Sequence, residues 1–170
     1  MHSIQSVLSP LMGKIVFSLF QTYGSYFFIQ IGDPFLRIRE PIEPRHVTSE
    51  KAKTMLRRRR VYVIGTWSIL VEGCNWILES EQRSACQSDL IAEMEDLFRS
   101  VEGQYLVSAQ CSHETNSCTL KFDMGASLTL WPRHGGEPDE DQWRLHYNDG
   151  SSMGYTNDGS FSFEARKDDS

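Results

Sequence analysis

The chain has 170 residues, of which 39% are apolar and 24% charged, with 6 Pro and 12 Gly. That is the length of one domain (residues 1–170) and an ordinary globular composition, which excludes a disordered chain, a collagen-like repeat and a second full domain. The net charge of −6 argues against binding nucleic acid across the whole surface, since phosphate neutralisation takes cations, and it suits a partner with a basic surface.

The charge is divided unevenly. Residues 1–60 hold ten Lys/Arg and four Asp/Glu, net +6, and residues 61–170 hold seven and nineteen, net −12. No stretch approaches the roughly 18–20 apolar residues of a membrane span. Lys14 interrupts the first apolar stretch, and no basic segment leads into an apolar one as in a signal peptide. A cytoplasmic location without membrane contact is expected, where thiols stay reduced.

Taken in order, residues 14–20 read as a strand, Tyr23-Gly24-Ser25 as a turn, and Tyr26–Ile31 as a second strand ended by Gly32-Asp33-Pro34. Phe35–Glu40 alternates, with Arg37 and Arg39 on one face, and Pro41 closes it. Residues 41–59 read as a long, basic, flexible connection with a short helical turn at Ser49–Leu56. Strands resume at Arg60–Ile64 and Thr66–Glu72, with a bulge at Gly65, and continue at Asn75–Glu79.

One segment is plainly helical. Leu90, Ile91, Met94, Leu97, Phe98 and Val101 fall on one stripe at the helical period, with Asp89, Glu93, Glu95 and Asp96 off it. Ser84 or Ser88 can cap its start, and Gly103 stands where a helix commonly stops. Period 2 then returns at Tyr105–Cys111, Cys118–Asp123, Ser127–Trp131, Gln142–Tyr147 and Phe161–Phe163. Turn chemistry separates these segments, including two Asn-Asp-Gly triplets at 148–150 and 157–159. Residues 164–170 read as a disordered tail. The pattern predicts an α+β fold: a mainly antiparallel meander with one amphipathic helix packed on it.

Four cysteines occur, Cys74, Cys86, Cys111 and Cys118. Cys111 and Cys118 can face each other across a hairpin, but four free, mostly buried thiols is the expected state. Cys111, His113 and Cys118 lack the close pairs of a structural zinc site, so no metal is expected. Nucleophile elbow, P-loop and H-E-x-x-H signatures are missing, and no catalytic residue or cofactor is assigned. Arg57–Arg60 is the densest run of one charge; aromatics are not interleaved with it as in single-strand binders. The loop carrying Glu137, Asp139, Glu140 and Asp141, and the helix flank carrying Glu93 and Asp96, are the candidate contacts for a basic partner. Trp67, Trp76, Trp131 and Trp143 fall in strands and are expected mostly in the core.

A series of short blocks carries a resemblance. These are Tyr23-Gly24-Ser25 with Tyr26–Ile31, residues 35–41 (FLRIREP), Arg59–Val63 with Gly65-Thr66-Trp67, Cys74-Asn75-Trp76, Phe122-Asp123-Met124-Gly125 and Gln142-Trp143-Arg144-Leu145. In that order, over residues 11–163, they resemble a group of small bacterial cytoplasmic proteins of unknown function akin to immunity proteins of polymorphic toxin and contact-dependent inhibition systems. Residues 45–60 fall outside the pattern. The resemblance implies a non-enzymatic protein that neutralises a cognate protein toxin by stoichiometric occlusion, a basic nuclease domain being one such toxin. The alternatives are a small hydrolase or nucleic-acid-processing enzyme that uses His and carboxylates, and a regulatory binder that docks an anionic partner through Arg57–Arg60.

Overall fold

Alternation at period 2 decides which side chains of each strand turn inward, and here it builds two facing sheets. A computed structural model describes residues 4–22, 24–89 and 91–165. In chain order its elements are helix α1 (Ile4–Leu8), a 3-10 turn (Ser9–Leu11), strands β1 (Val16–Gln21) and β2 (Phe27–Arg39), helix α2 (Glu50–Leu56), strands β3 (Arg60–Val71), β4 (Cys74–Ser80) and β5 (Arg83–Cys86), helix α3 (Ile91–Val101), and strands β6 (Leu106–Ser112), β7 (Ser117–Phe122), β8 (Ser127–Pro132), β9 (Asp141–Tyr147), β10 (Ser152–Thr156) and β11 (Phe161–Glu164). A six-stranded sheet runs β1-β2-β3-β9-β10-β11, and a five-stranded sheet runs β5-β4-β8-β7-β6. Every pairing in both is antiparallel.

The core lies between the sheets. In the first, Ile29, Ile69, Leu145 and Met153 form one cross-strand row, and Phe27, Val71, Trp143 and Tyr155 the next. Trp76, Leu78, Leu120, Leu128 and Leu130 supply the other side, all buried. Leu8, Ile69 and Trp143 meet Cys118, Leu120 and Leu130 around a void of only about 10 Å3, room for no more than about one water. Helix α3 packs on β1, β4 and β5 and buries the stripe Met94, Leu97, Phe98 and Val101. The Phe98 ring centroid lies 5.0 Å from that of Phe27 and 6.5 Å from that of Trp76.

The α+β, mostly antiparallel architecture stands, but neither the single meander nor the single helix does. Strands are divided between two sheets, and α1 and α2 join α3. Helix α1 has five residues, too short to display a period. Ser49 accepts a hydrogen bond from the Ala52 N–H and so caps α2, at the place where the helical turn is expected. Ser84 lies in β5 instead of capping α3, Glu164 ends strand β11 instead of belonging to a disordered tail, and Tyr23 of the expected turn, Leu90 and the tail residues 166–170 lie outside the described residues. Strand β10 escapes the alternation rule because all five of its residues are buried. The expected thiol state also changes: Cys111 and Cys118 stand directly opposite on β6 and β7 and are bonded, leaving Cys74 and Cys86 free. Among the described residues, no helix is long and apolar enough to cross a membrane.

Segments read as separate strands fuse into β2 and β3. Gly32-Asp33-Pro34 does not end β2. It shifts the register between Ile31 and Pro34, opposite Gly65. A Cβ at Gly65 would collide with the backbone of Ile31, so only glycine allows this close approach. Beyond the shift β2 and β3 pair with each other alone, since β1 pairing stops at Ile31 and β9 pairing at Trp67. Residues 34–39 and 60–65 therefore form a two-stranded arm. Leu36 faces Val63 and Ile38 faces Val61 on one side of it. Phe35 faces Ile64, Arg37 faces Tyr62 and Arg39 faces Arg60 on the other.

Candidate functional site

The chain passes between the sheets twice at one end of the sandwich. Glu72-Gly73 carries β3 into β4, and residues 133–140 carry β8 into β9. The two crossings are tied together: the Glu72 N–H donates to the Gln142 carbonyl at 3.2 Å, and Asn75 Nδ2 donates to the Pro132 carbonyl at 3.3 Å. Between them, closed on one side by Tyr26, lies an open cleft of about 280 Å3 lined by Glu72, Gly73, Asp139, Glu140, Asp141 and Arg144.

Three of the four expected loop carboxylates, Asp139, Glu140 and Asp141, thus line one cleft. Glu137 holds the loop's shape through its backbone. Its carbonyl accepts from Asn157 Nδ2 at 2.9 Å, while the Asn157 N–H reaches the Glu140 carbonyl at 2.9 Å and the Asp158 N–H the Pro138 carbonyl at 3.0 Å. The loop is consequently a fixed platform, with Asp139 and Glu140 exposed on it. Glu93 and Asp96 are exposed on α3 and take no part in lining the cleft. Asp96 lies 3.9 Å from Arg99 on its own helix.

Asp141 differs from its neighbours. Its side chain is 9% exposed, it accepts from Ser162 Oγ at 3.0 Å, and it pairs with Arg144. Gly154 makes room for it, since a Cβ there would strike the Asp141 carboxylate. Arg144 also holds Glu164 at 2.7 Å and stands 3.8 Å from Glu72. Its hydrogen bond to Glu164, together with Asp141, keeps the guanidinium firmly charged. Burial raises the Glu72 carboxyl above its ordinary value; Arg144 opposes this, and Asp141, Glu140 and Glu164 add to it. One arginine is therefore shared among three carboxylates, and the cleft keeps a negative excess. Beside it, burial pushes the Cys74 thiol up to about 12, which removes it as a nucleophile near neutral pH.

Sequence reasoning missed Tyr26, Glu72 and Arg144. Glu72 and Arg144 look like ordinary strand residues until the two crossings are seen side by side. Arg57–Arg60 is less open to ligands than its composition suggests: Arg57 pairs with Glu43 at 3.3 Å, Arg59 with Glu40 at 2.9 Å, and Arg60 sits 5.0 Å from the Tyr62 ring centroid. Among the described residues no three His, Cys, Asp or Glu side chains are placed to hold a metal ion. The chain matches no known family model, curated protein or solved structure.

Proposed function

We propose that the protein is a stoichiometric binder of the immunity type, neutralising a cognate protein toxin by covering a basic part of its surface. The observation that carries this reading is the cleft between the two crossings. There Glu72, Asp139 and Glu140 surround an opening in which, among the described residues, the one lining cation is Arg144, already engaged by three carboxylates. A lysine or arginine of the partner supplies the missing charge. Tyr26 offers an aromatic wall of the kind enriched in contact hot spots, and the field of the acidic body speeds encounter. Occlusion requires a fixed shape, which the backbone N–H groups of Asn157 and Asp158 and the Asn157 side-chain amide give the loop by bonding its carbonyls.

In the regulatory alternative through Arg57–Arg60, Arg57 and Arg59 each pair with a surface carboxylate, which lowers the net charge that the run offers an anionic partner. The enzymatic alternative has one foothold, the raised Glu72 carboxyl in an open cleft. The test is to express the products of the genes adjacent to this one and titrate each against the purified protein by calorimetry, repeated with Asp139→Lys/Glu140→Lys. One-to-one binding weakened at least tenfold by the variant, and weakened by added salt, is the expected result. An unchanged affinity removes the cleft from the proposal. Toxin turnover catalysed by this protein and abolished by Glu72→Gln replaces occlusion with catalysis.

A further inference from the structure

The arm presents a surface that the cleft reading leaves unused. Leu36, Ile38, Val61 and Val63 are 65%, 57%, 57% and 55% exposed, and they are two directly opposed pairs on one face. In β3 these positions continue the alternation of Trp67, Ile69 and Val71, so the aliphatic face is an extension of the side that the five-stranded sheet covers in the body. The cover ends and the face does not. A two-stranded ribbon is marginal by itself, and a contiguous exposed patch of this kind marks a contact site.

We infer that this face is the dimerisation surface of the protein, and that its occupant is the same face of a second copy. A β-layer packing face to face is what the rest of this side already has, and another arm supplies one with identical aliphatic pairs, related by a two-fold axis. The charges agree with that arrangement. Arg37, Arg39 and Arg60 all lie on the opposite side of the ribbon, so two aliphatic faces meet without bringing cations together. A lipid surface fits worse. The apolar side would enter it while those arginines pointed away from the headgroups, and the end of the arm carries Glu40, Glu43, Arg57 and Arg59, which hydrocarbon does not accept. Nucleic acid fits worse still, because the four side chains hold no donor or acceptor. Four aliphatic side chains from each copy make a small contact, so the dimer is expected to be weak and reversible, with a dissociation constant on the order of micromolar.

Sedimentation equilibrium of the full chain from about 1 to 500 µM, a span chosen to bracket micromolar affinity, tests this. The expected result is a reversible monomer–dimer equilibrium that Leu36→Asp/Val63→Asp abolishes and Arg37→Gln/Arg39→Gln leaves in place. If the aspartate pair perturbs folding, Ile38→Cys in oxidised glutathione is expected to give a disulfide-linked dimer across the two-fold axis, and Arg39→Cys is not. A wild-type chain that stays monomeric over the whole range overturns the inference. So does a dimer indifferent to the aspartates, or a monomer that floats with anionic phosphatidylserine vesicles and loses that binding on Leu36→Asp/Val63→Asp. None of these outcomes involves the toxin, so they leave the cleft reading to its own experiment.

Discussion

The body and the arm are made from the same two strands, yet they obey different energetics. Within β2, Ile29 and Ile31 are fully buried, whereas Leu36 and Ile38 stand more than half in solvent. Nothing in their side-chain chemistry separates these residues. The difference is the opposing layer, present behind Ile29 and missing behind Ile38. Burial of an aliphatic side chain is thus a property of what faces it, and an alternating pattern specifies only the first half of that arrangement.

Substitutions break this comparison in a graded way. Trp76→Ala has the largest expected effect, a loss of about 3–5 kcal/mol of stability in denaturant unfolding. The ring is buried, packs edge-on to Phe27 at 5.0 Å between centroids, and its Nε1 donates to the Ser25 carbonyl. Next comes Cys111→Ser/Cys118→Ser. It opens a bridge between residues seven apart, a short loop whose closure contributes about 2–3 kcal/mol in the chain-entropy account. The same unfolding curves, with and without reductant, measure it.

A smaller effect depends on pH. Burial, with Arg144 and Arg37 close by, lowers the His146 pKa, while Glu164 opposes. The fold favours the neutral ring and the unfolded chain binds a proton near pH 6.5. Stability is therefore expected to fall as pH drops through that value towards the lowered one, and His146→Gln should flatten this slope in thermal melts between pH 7.5 and 5.5. The smallest effect sharpens the contrast with Trp76. Leu36→Ser in dilute solution, where the chain is monomeric, is expected to cost less than about 0.5 kcal/mol. A loss of 2 kcal/mol or more would mean that the arm is covered within one copy.

The helical stripe of α3 and most strands of both sheets were legible because period and turn chemistry are local. Met94, Leu97, Phe98 and Val101 share a face whatever the helix packs on, and Asn-Asp-Gly turns bracket β10 on both sides. What failed was whatever depends on distant chain. β10 is buried throughout and so shows no alternation, and the division into two sheets is set by crossings at Glu72-Gly73 and 133–140 that carry no period. For the candidate site, the run Asp139–Asp141 was visible as a charge cluster. Its partners Glu72 and Arg144 were not, because they arrive from β3 and β9 only after folding. Leu36 and Ile38 were implicit once Arg37 and Arg39 were placed on the other face, but their exposure was not.

The register shift opposite Gly65 acts as a reading frame for the arm. Because side chains invert with every step along a strand, one residue inserted between Pro34 and Leu36 would turn the arginines to the side now occupied by leucine and isoleucine, leaving the sandwich untouched. Length there is consequently more constrained than identity. Valine, isoleucine and leucine can trade places on the arm, but lineages that keep this surface must preserve the spacing between the bulge and Leu36.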